Sequence, residues 1–195
     1  TILAVVVGYE GVLPVFRGHL MRYLAIGDEG FGLLFSIGSI AGLTSVVFGG
    51  QLIDRWGPRR VIRICLVGVG CGMLILAFGG AHFLSFAIAV GVSGLFTAPI
   101  FIAISAYLAK LFPQHRRRVI SLNLASASLG GMMFPIAAEG LLYLSRASSS
   151  VSFAQVLHLP FLLSAAILIA GSFLYRGKRA PADAAPVGET RPAAW

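Results

Sequence analysis

The sequence predicts an all-α, polytopic integral membrane protein with six transmembrane helices and both chain ends on the cytoplasmic side. Three observations predict it. Of 195 residues, 57% are hydrophobic and only 11% charged, with a mean hydropathy of +0.90; a soluble domain of this length needs far more polar surface to cover its core. The apolar residues fall into six long runs separated by short polar breaks. The basic residues, finally, gather in alternate breaks.

A helix needs about 20 apolar residues to cross a hydrocarbon core roughly 30 Å thick. The six runs are near Ile2 to Leu20, Phe31 to Ile53, Val61 to Gly79, Phe83 to Leu111, Val119 to Tyr143 and Val156 to Tyr175. Asp28, just ahead of the second run, is a candidate N-cap. Residues 1–176 therefore form one six-helix bundle. Residues 177–195, "GKRAPADAAPVGETRPAAW", lose apolar periodicity and gain Ala, Pro and charge, which predicts a flexible cytoplasmic linker or tail. The chain opens at Thr1 inside an apolar run, without methionine or basic flank, and Glu10 argues against a signal peptide; a fragment or incomplete reading frame is the simpler expectation.

Orientation follows from the lysines and arginines, which concentrate in cytoplasmic loops. Arg55, Arg59, Arg60 and Arg63 follow the second run, Lys110 and Arg116 to Arg118 follow the fourth, and Arg176, Lys178 and Arg179 end the sixth. The other side holds only Arg17, Arg22 and Arg146. A net charge of +8 arranged in this way reports topology rather than a nucleic-acid surface, so no nucleic-acid partner is expected.

Several patterns speak for packing. Gly38, Gly42, Ser45 and Gly49 share one face of the second helix and let another helix approach closely, either as a sliding interface or as static packing. "GVGCG", Gly68 to Gly72, lies inside a membrane run with no preceding strand, so a phosphate loop is excluded in favour of packing. Cys65 and Cys71 lie on different faces of a helix and are read as packing residues. His19, His82, His115 and His158 are scattered over different helix ends, so no metal site is expected, and no nucleophile has a plausible base. The chain is expected to be neither an enzyme nor cofactor-dependent, with coupling to an ion or proton gradient left open.

Between the second and third runs lies "GGQLIDRWGPRR". Its Gly50, Leu52, Asp54, Arg55, Gly57, Arg59 and Arg60 match the cytoplasmic signature G-x-L-x-D-R-x-G-[R/P]-[R/K]-[R/K] of the major facilitator superfamily (MFS). With six helices and short loops, nearly the whole chain up to Tyr175 resembles the amino-terminal half of such a transporter, as do the passages "GDEGFGLLFSIGSIAGL" and "LFPQHRRRVISLNLASASLGG". The resemblance implies that Asp54 latches the two halves of a twelve-helix protein in its outward-facing state; a topology anchor is the alternative role. Gly57 permits the tight reversal, and the arginines hold the loop on the cytoplasmic side. The fourth run lacks the arginine, and the fifth the Gly-Pro pair, that mark drug/proton antiporters. Uniport or symport is therefore favoured over antiport.

Charges within the membrane are the candidates for a solute or proton pathway. Glu10 lies roughly 12 Å beyond Ile2 along a helix axis, where a carboxylate must face a cavity, find a partner or stay protonated. Gly8, Gly11 and Pro14 beside it are expected to bend or unwind the helix and free backbone carbonyls. Arg17 either meets an anionic substrate or snorkels to the outer surface. Tyr107, Ser121 and Asn123 either line a pathway or are satisfied by neighbouring helices, and Glu139 is expected at the interface.

The expected function is secondary active transport of a small solute by alternating access, in a bacterial-type cytoplasmic membrane. Its partners are the solute, membrane lipid, and a missing carboxy-terminal six-helix half or a second copy. The first and fourth helices would face the central cavity. The alternative is a non-transporting six-helix scaffold or accessory subunit.

Overall fold

Seven α-helices follow one another in the computed structural model of the chain, which describes residues 2–147 and 153–174. They are α1 (Ile2–Val15), α2 (Arg17–Leu24), α3 (Asp28–Trp56), α4 (Pro58–Phe78), α5 (Phe83–Leu111), α6 (Arg116–Ala147) and α7 (Phe153–Leu174), with a 3-10 turn at Pro113–His115 leading into α6. Among the described residues there is no strand. Among the described residues four spans are long and apolar enough to cross a membrane: Asp28–Trp56, Pro58–Phe78, Phe83–Leu111 and Pro113–Tyr143. Ala4–Val15 and His158–Phe173 are shorter apolar helices. The tail expected at residues 177–195 and the basic cluster Arg176, Lys178 and Arg179 lie outside the described residues.

The first apolar run differs from its expected form. It is two helices rather than one, interrupted at Phe16, whose backbone (φ −82°, ψ 3°) leaves helical geometry. Pro14 explains the weakness of this turn, because its missing N–H leaves the Glu10 carbonyl without a helical donor. Gly8 and Gly11 stay helical instead of unwinding. The Phe134 ring packs on Gly8, and the Pro135 ring and Gly131 carbonyl press on Gly11, so both glycines serve the approach of α6. α2 then ends with Ala25 in the left-handed region (φ 51°, ψ 43°), where Ile26 N–H donates to the Met21 carbonyl at 3.0 Å. This is a Schellman-type stop built on alanine rather than the usual glycine.

Asp28 is not an N-cap. Gly27 takes that place in extended geometry, and Asp28 with Glu29 occupies the first turn of α3, where a negative charge offsets the positive helix end. At its far end α3 passes into α4 through Gly57 alone, whose φ of 77° and ψ of 152° suit only glycine. Pro58 follows at the first helical position, its missing N–H costing nothing there.

Helix α4 is the enclosed member of the bundle. Ile62, Cys65, Leu66, Val69 and Met73 are almost fully buried, and α5 and α7 pack against it. Its glycines make this possible. Gly68 receives the Phe96 ring of α5, Gly70 receives Ile169 of α7, and Gly72 abuts Ser93 and the Ala89 carbonyl. The "GVGCG" stretch thus packs two helices at once. By contrast α3 and α6 present Ile40, Leu43, Val47, Leu129, Met132 and Ile136 to the outside, each more than half exposed. An apolar surface of this kind is what hydrocarbon or another membrane helix covers.

Candidate functional site

Helices α1, α3 and α5 line an open cavity of about 560 Å³ halfway along the bundle. Its level is set by Thr97, 14 residues from either end of α5, or about 21 Å from each. The wall is mostly apolar, with Phe35, Val46, Phe101 and Ile102, and carries three polar side chains: Glu10, Ser39 and Thr97. The small-residue face of α3 makes the third wall possible. Gly38 and Gly42 sit against Val90 and Gly94 of α5, and Gly49 against Pro99, so the two helices touch backbone to backbone beside the cavity.

Glu10 is the one ionisable side chain among those lining this space. It is exposed, and it lines the cavity together with Thr97 of α5. Thr97 is itself 8% exposed, and its Oγ1 donates to the Ser93 carbonyl at 2.8 Å. Sequence reasoning passed over Thr97 and Ser39. The available signal was the placement of Thr97 two residues before Pro99, the one interior proline of α5.

The other candidates lie elsewhere. Arg17 opens α2, pairs with Asp28 of α3 and lies 5.8 Å from the Phe31 ring centroid. It does not line the cavity. Below it, Leu13, Leu20, Phe31, Leu34 and Phe86 close around a space of only about 20 Å³, which separates the cavity from this end of the bundle.

Tyr107 stands near the arginine-rich end of α5, where the Arg59 guanidinium lies 5.5 Å from its ring centroid. That contact joins the α3–α4 turn to α5 by a cation–π attraction. Arg59 Nη2 and Asn123 Nδ2 are buried and have no hydrogen-bond partner among the described residues. Asp54, Arg55 and Arg60 are exposed, and among the described residues Asp54 forms no ion pair. The α4 N-terminus likewise has no side-chain cap. Gly50 has open space beside it, while Gly57 supplies the reversal. Ser121 Oγ donates to the Arg117 carbonyl of its own helix, and Glu139 is exposed on α6. Among the described residues no group of His, Cys, Asp or Glu could hold a metal ion.

A bundle of apolar, span-length helices with a mostly apolar cavity between them defines a helical membrane protein. The chain belongs to the Major Facilitator Superfamily, whose profile matches residues 1–195. It is similar to the human solute carrier family 2, facilitated glucose transporter member 12, at 34% identity over 157 residues, covering 78% of this chain and 23% of that protein. The mouse protein of the same name is 34% identical over 128 residues, covering 63% and 20%. An MFS-type transporter of Aspergillus fumigatus is 29% identical over 143 residues, covering 70% and 32%. The chain thus spans between a fifth and a third of the length of these relatives. The family is one of membrane transporters rather than enzymes, and nothing in this kinship favours a scaffold.

Proposed function

We propose that the chain is the amino-terminal part of a secondary transporter that moves a small solute by alternating access. The observation carrying this reading is the cavity walled by α1, α3 and α5 at mid-bundle, with Glu10 as its one charged or chargeable group. In this reading α1, α3, α4, α5, α6 and α7 are the six spans, the arginine-rich end is cytoplasmic, and α2 lies at the outer surface. A second six-helix bundle, from the remainder of a longer chain or from a second copy, supplies the opposite cavity wall. The membrane is a cytoplasmic membrane of bacterial type.

Glucose is the first solute to test, because the relatives are named facilitated glucose transporters. Transport requires no cofactor. Glu10 couples it to a proton gradient, as a carboxyl group in an apolar cavity gains or loses a proton when the cavity changes sides. Asp54, exposed at the cytoplasmic turn, latches this half to the other in the outward-facing state.

The test is uptake of labelled glucose into proteoliposomes holding the full-length protein, with and without an imposed inward proton gradient. Uptake driven by the gradient in wild type, and independent of it in Glu10→Gln, is the expected result. Unchanged uptake and unchanged pH dependence in Glu10→Gln would remove Glu10 from coupling.

A further inference from the structure

We infer that the solute taken by this cavity is an organic cation: a protonated amine carrying an apolar or aromatic body. The inference rests on the reading of the cavity as the solute site and deepens it, by naming the chemistry that the described wall recognises. Glucose, which kinship puts first, serves as the comparison solute.

Charge is the first consideration. Glu10 lines the cavity, and among the described residues no Lys, Arg or His lines it too. Among the described residues Glu10 forms no ion pair. A carboxylate within a membrane faces a water-filled cavity or pairs with a cation. The cations toward either end of the bundle are engaged elsewhere. Arg17 pairs with Asp28, beyond the layer of Leu13, Leu20, Phe31, Leu34 and Phe86 that closes off this end. Arg59 lies against the Tyr107 ring, and Tyr107 is ten residues, about 15 Å, from Thr97. Within this half, the charge that answers Glu10 therefore falls to the solute. An ammonium group fits, because it gives charge-assisted hydrogen bonds to a carboxylate, whereas an anionic solute would meet Glu10 as a like charge.

The rest of the wall sets the body of that cation. Leu13, Val46, Val90 and Ile102 present aliphatic surface, and Phe35 and Phe101 add two aromatic rings. Aromatic faces attract cations, and aromatic edges and faces pack well on other rings. An apolar body is driven from water onto such a wall in proportion to the area covered. The volume of about 560 Å³ suits a small organic molecule.

A polyol is served less well by this wall. Each hydroxyl taken out of water needs a hydrogen-bond partner. Among the described residues, Ser39 and Thr97 are the polar side chains that line the cavity besides Glu10. The one hydrogen of the Thr97 hydroxyl is already given to the Ser93 carbonyl at 2.8 Å, so toward a solute Thr97 can only accept. The wall is thus poor in donors, rich in apolar contact and marked by one acid, which is the complement of an amine with an apolar body.

The test is equilibrium binding to the full-length protein, purified in detergent, at neutral pH, with 2-phenylethylamine as the cation and 2-phenylethanol as its neutral counterpart of similar size. An alkylamine is charged at that pH, as a lysine side chain is. Wild type is expected to bind the amine about ten- to a hundredfold more tightly than the alcohol, the range of a hydrogen bond to a charged group. Glu10→Gln is expected to bring the amine down to the level of the alcohol, and Glu10→Asp to keep part of the preference. Ala98→Phe, which places a large side chain on the cavity wall, is expected to lose binding of both. If Ala98→Phe abolishes binding while Glu10→Gln keeps the preference for the amine, the cavity stands as the solute site and the cation class is overturned. Wild type that shows no preference for the amine, or that binds glucose and not the amine, overturns the class as well. If Ala98→Phe binds the amine as wild type does, the cavity is not the solute site and this inference falls with that reading. Should Glu10→Gln not purify, Glu10→Ala removes the carboxylate and is held to the same criterion.

Discussion

Gly94 of α5 and Gly38 of α3 meet with nothing between their backbones: a Cβ on Gly94 would land on the Gly38 carbonyl. This contact brings two cavity walls together. Gly94→Ala must therefore part the two helices or shift their register. An overpacking cost of about 1–3 kcal/mol is expected, read as a lower unfolding midpoint in detergent. Gly32→Ala, with open space around it in α3, the helix of Gly38, is the control and should not lower the midpoint, since alanine is the better helix former.

The α3–α4 turn depends on the backbone of Gly57 (φ 77°, ψ 152°). Any side chain there is strained by about 1–3 kcal/mol, although no neighbouring atom would collide with it. Gly57→Ala should thus lose stability by that amount. Gly50→Ala, in the same signature but with free space and ordinary helical geometry, should instead hold or gain stability, by up to about 1 kcal/mol, because alanine is the better helix former. A Gly57→Ala protein as stable as wild type would show that the turn relaxes to a different geometry.

Ala25 offers the opposite sign. It ends α2 with φ of 51°, a conformation that costs an L-residue about 1–2 kcal/mol. Ala25→Gly removes that strain and is expected to raise the unfolding midpoint, while Ala25→Val should lower it, because a β-branched residue is still less tolerant there.

The Arg17–Asp28 pair is solvent-exposed on both sides, with side-chain exposures of 55% and 73%. Exposed pairs of this kind contribute about 1 kcal/mol or less and are screened by salt. A double-mutant cycle of Arg17→Gln and Asp28→Asn is expected to give a small coupling energy that vanishes in molar salt. A coupling of several kcal/mol would mean that this end of the bundle excludes water more completely than its exposure indicates.

Much of this architecture was legible beforehand because membrane insertion leaves strong marks on a sequence. Apolar runs of span length, and a glycine stripe at helical spacing, identified α3, α4 and α5 and the close face of α3. What escaped were features decided between helices. Whether Gly8 and Gly11 unwind or pack depends on Phe134 and Pro135, more than 120 residues away. The break at Phe16 follows the turn that Pro14 weakens. Glu10 stood out because a carboxylate in an apolar run is conspicuous. Thr97 did not, because a threonine satisfies itself within its own helix, here on the Ser93 carbonyl, and only the packing of the helices sets it beside the cavity.

The enclosure of α4 divides its residues into two kinds with different histories. Ile64, Val67, Cys71 and Phe78 form a narrow outward stripe, whose neighbour is a fluid that adapts to any greasy shape. Such positions can drift freely among apolar residues. Ile62, Leu66, Val69 and Met73, with the three glycines between and beside them, face solid neighbours on α5 and α7. They can change only when a partner changes with them, so a variant library of this helix should be rich in single substitutions along one stripe and in compensated pairs everywhere else.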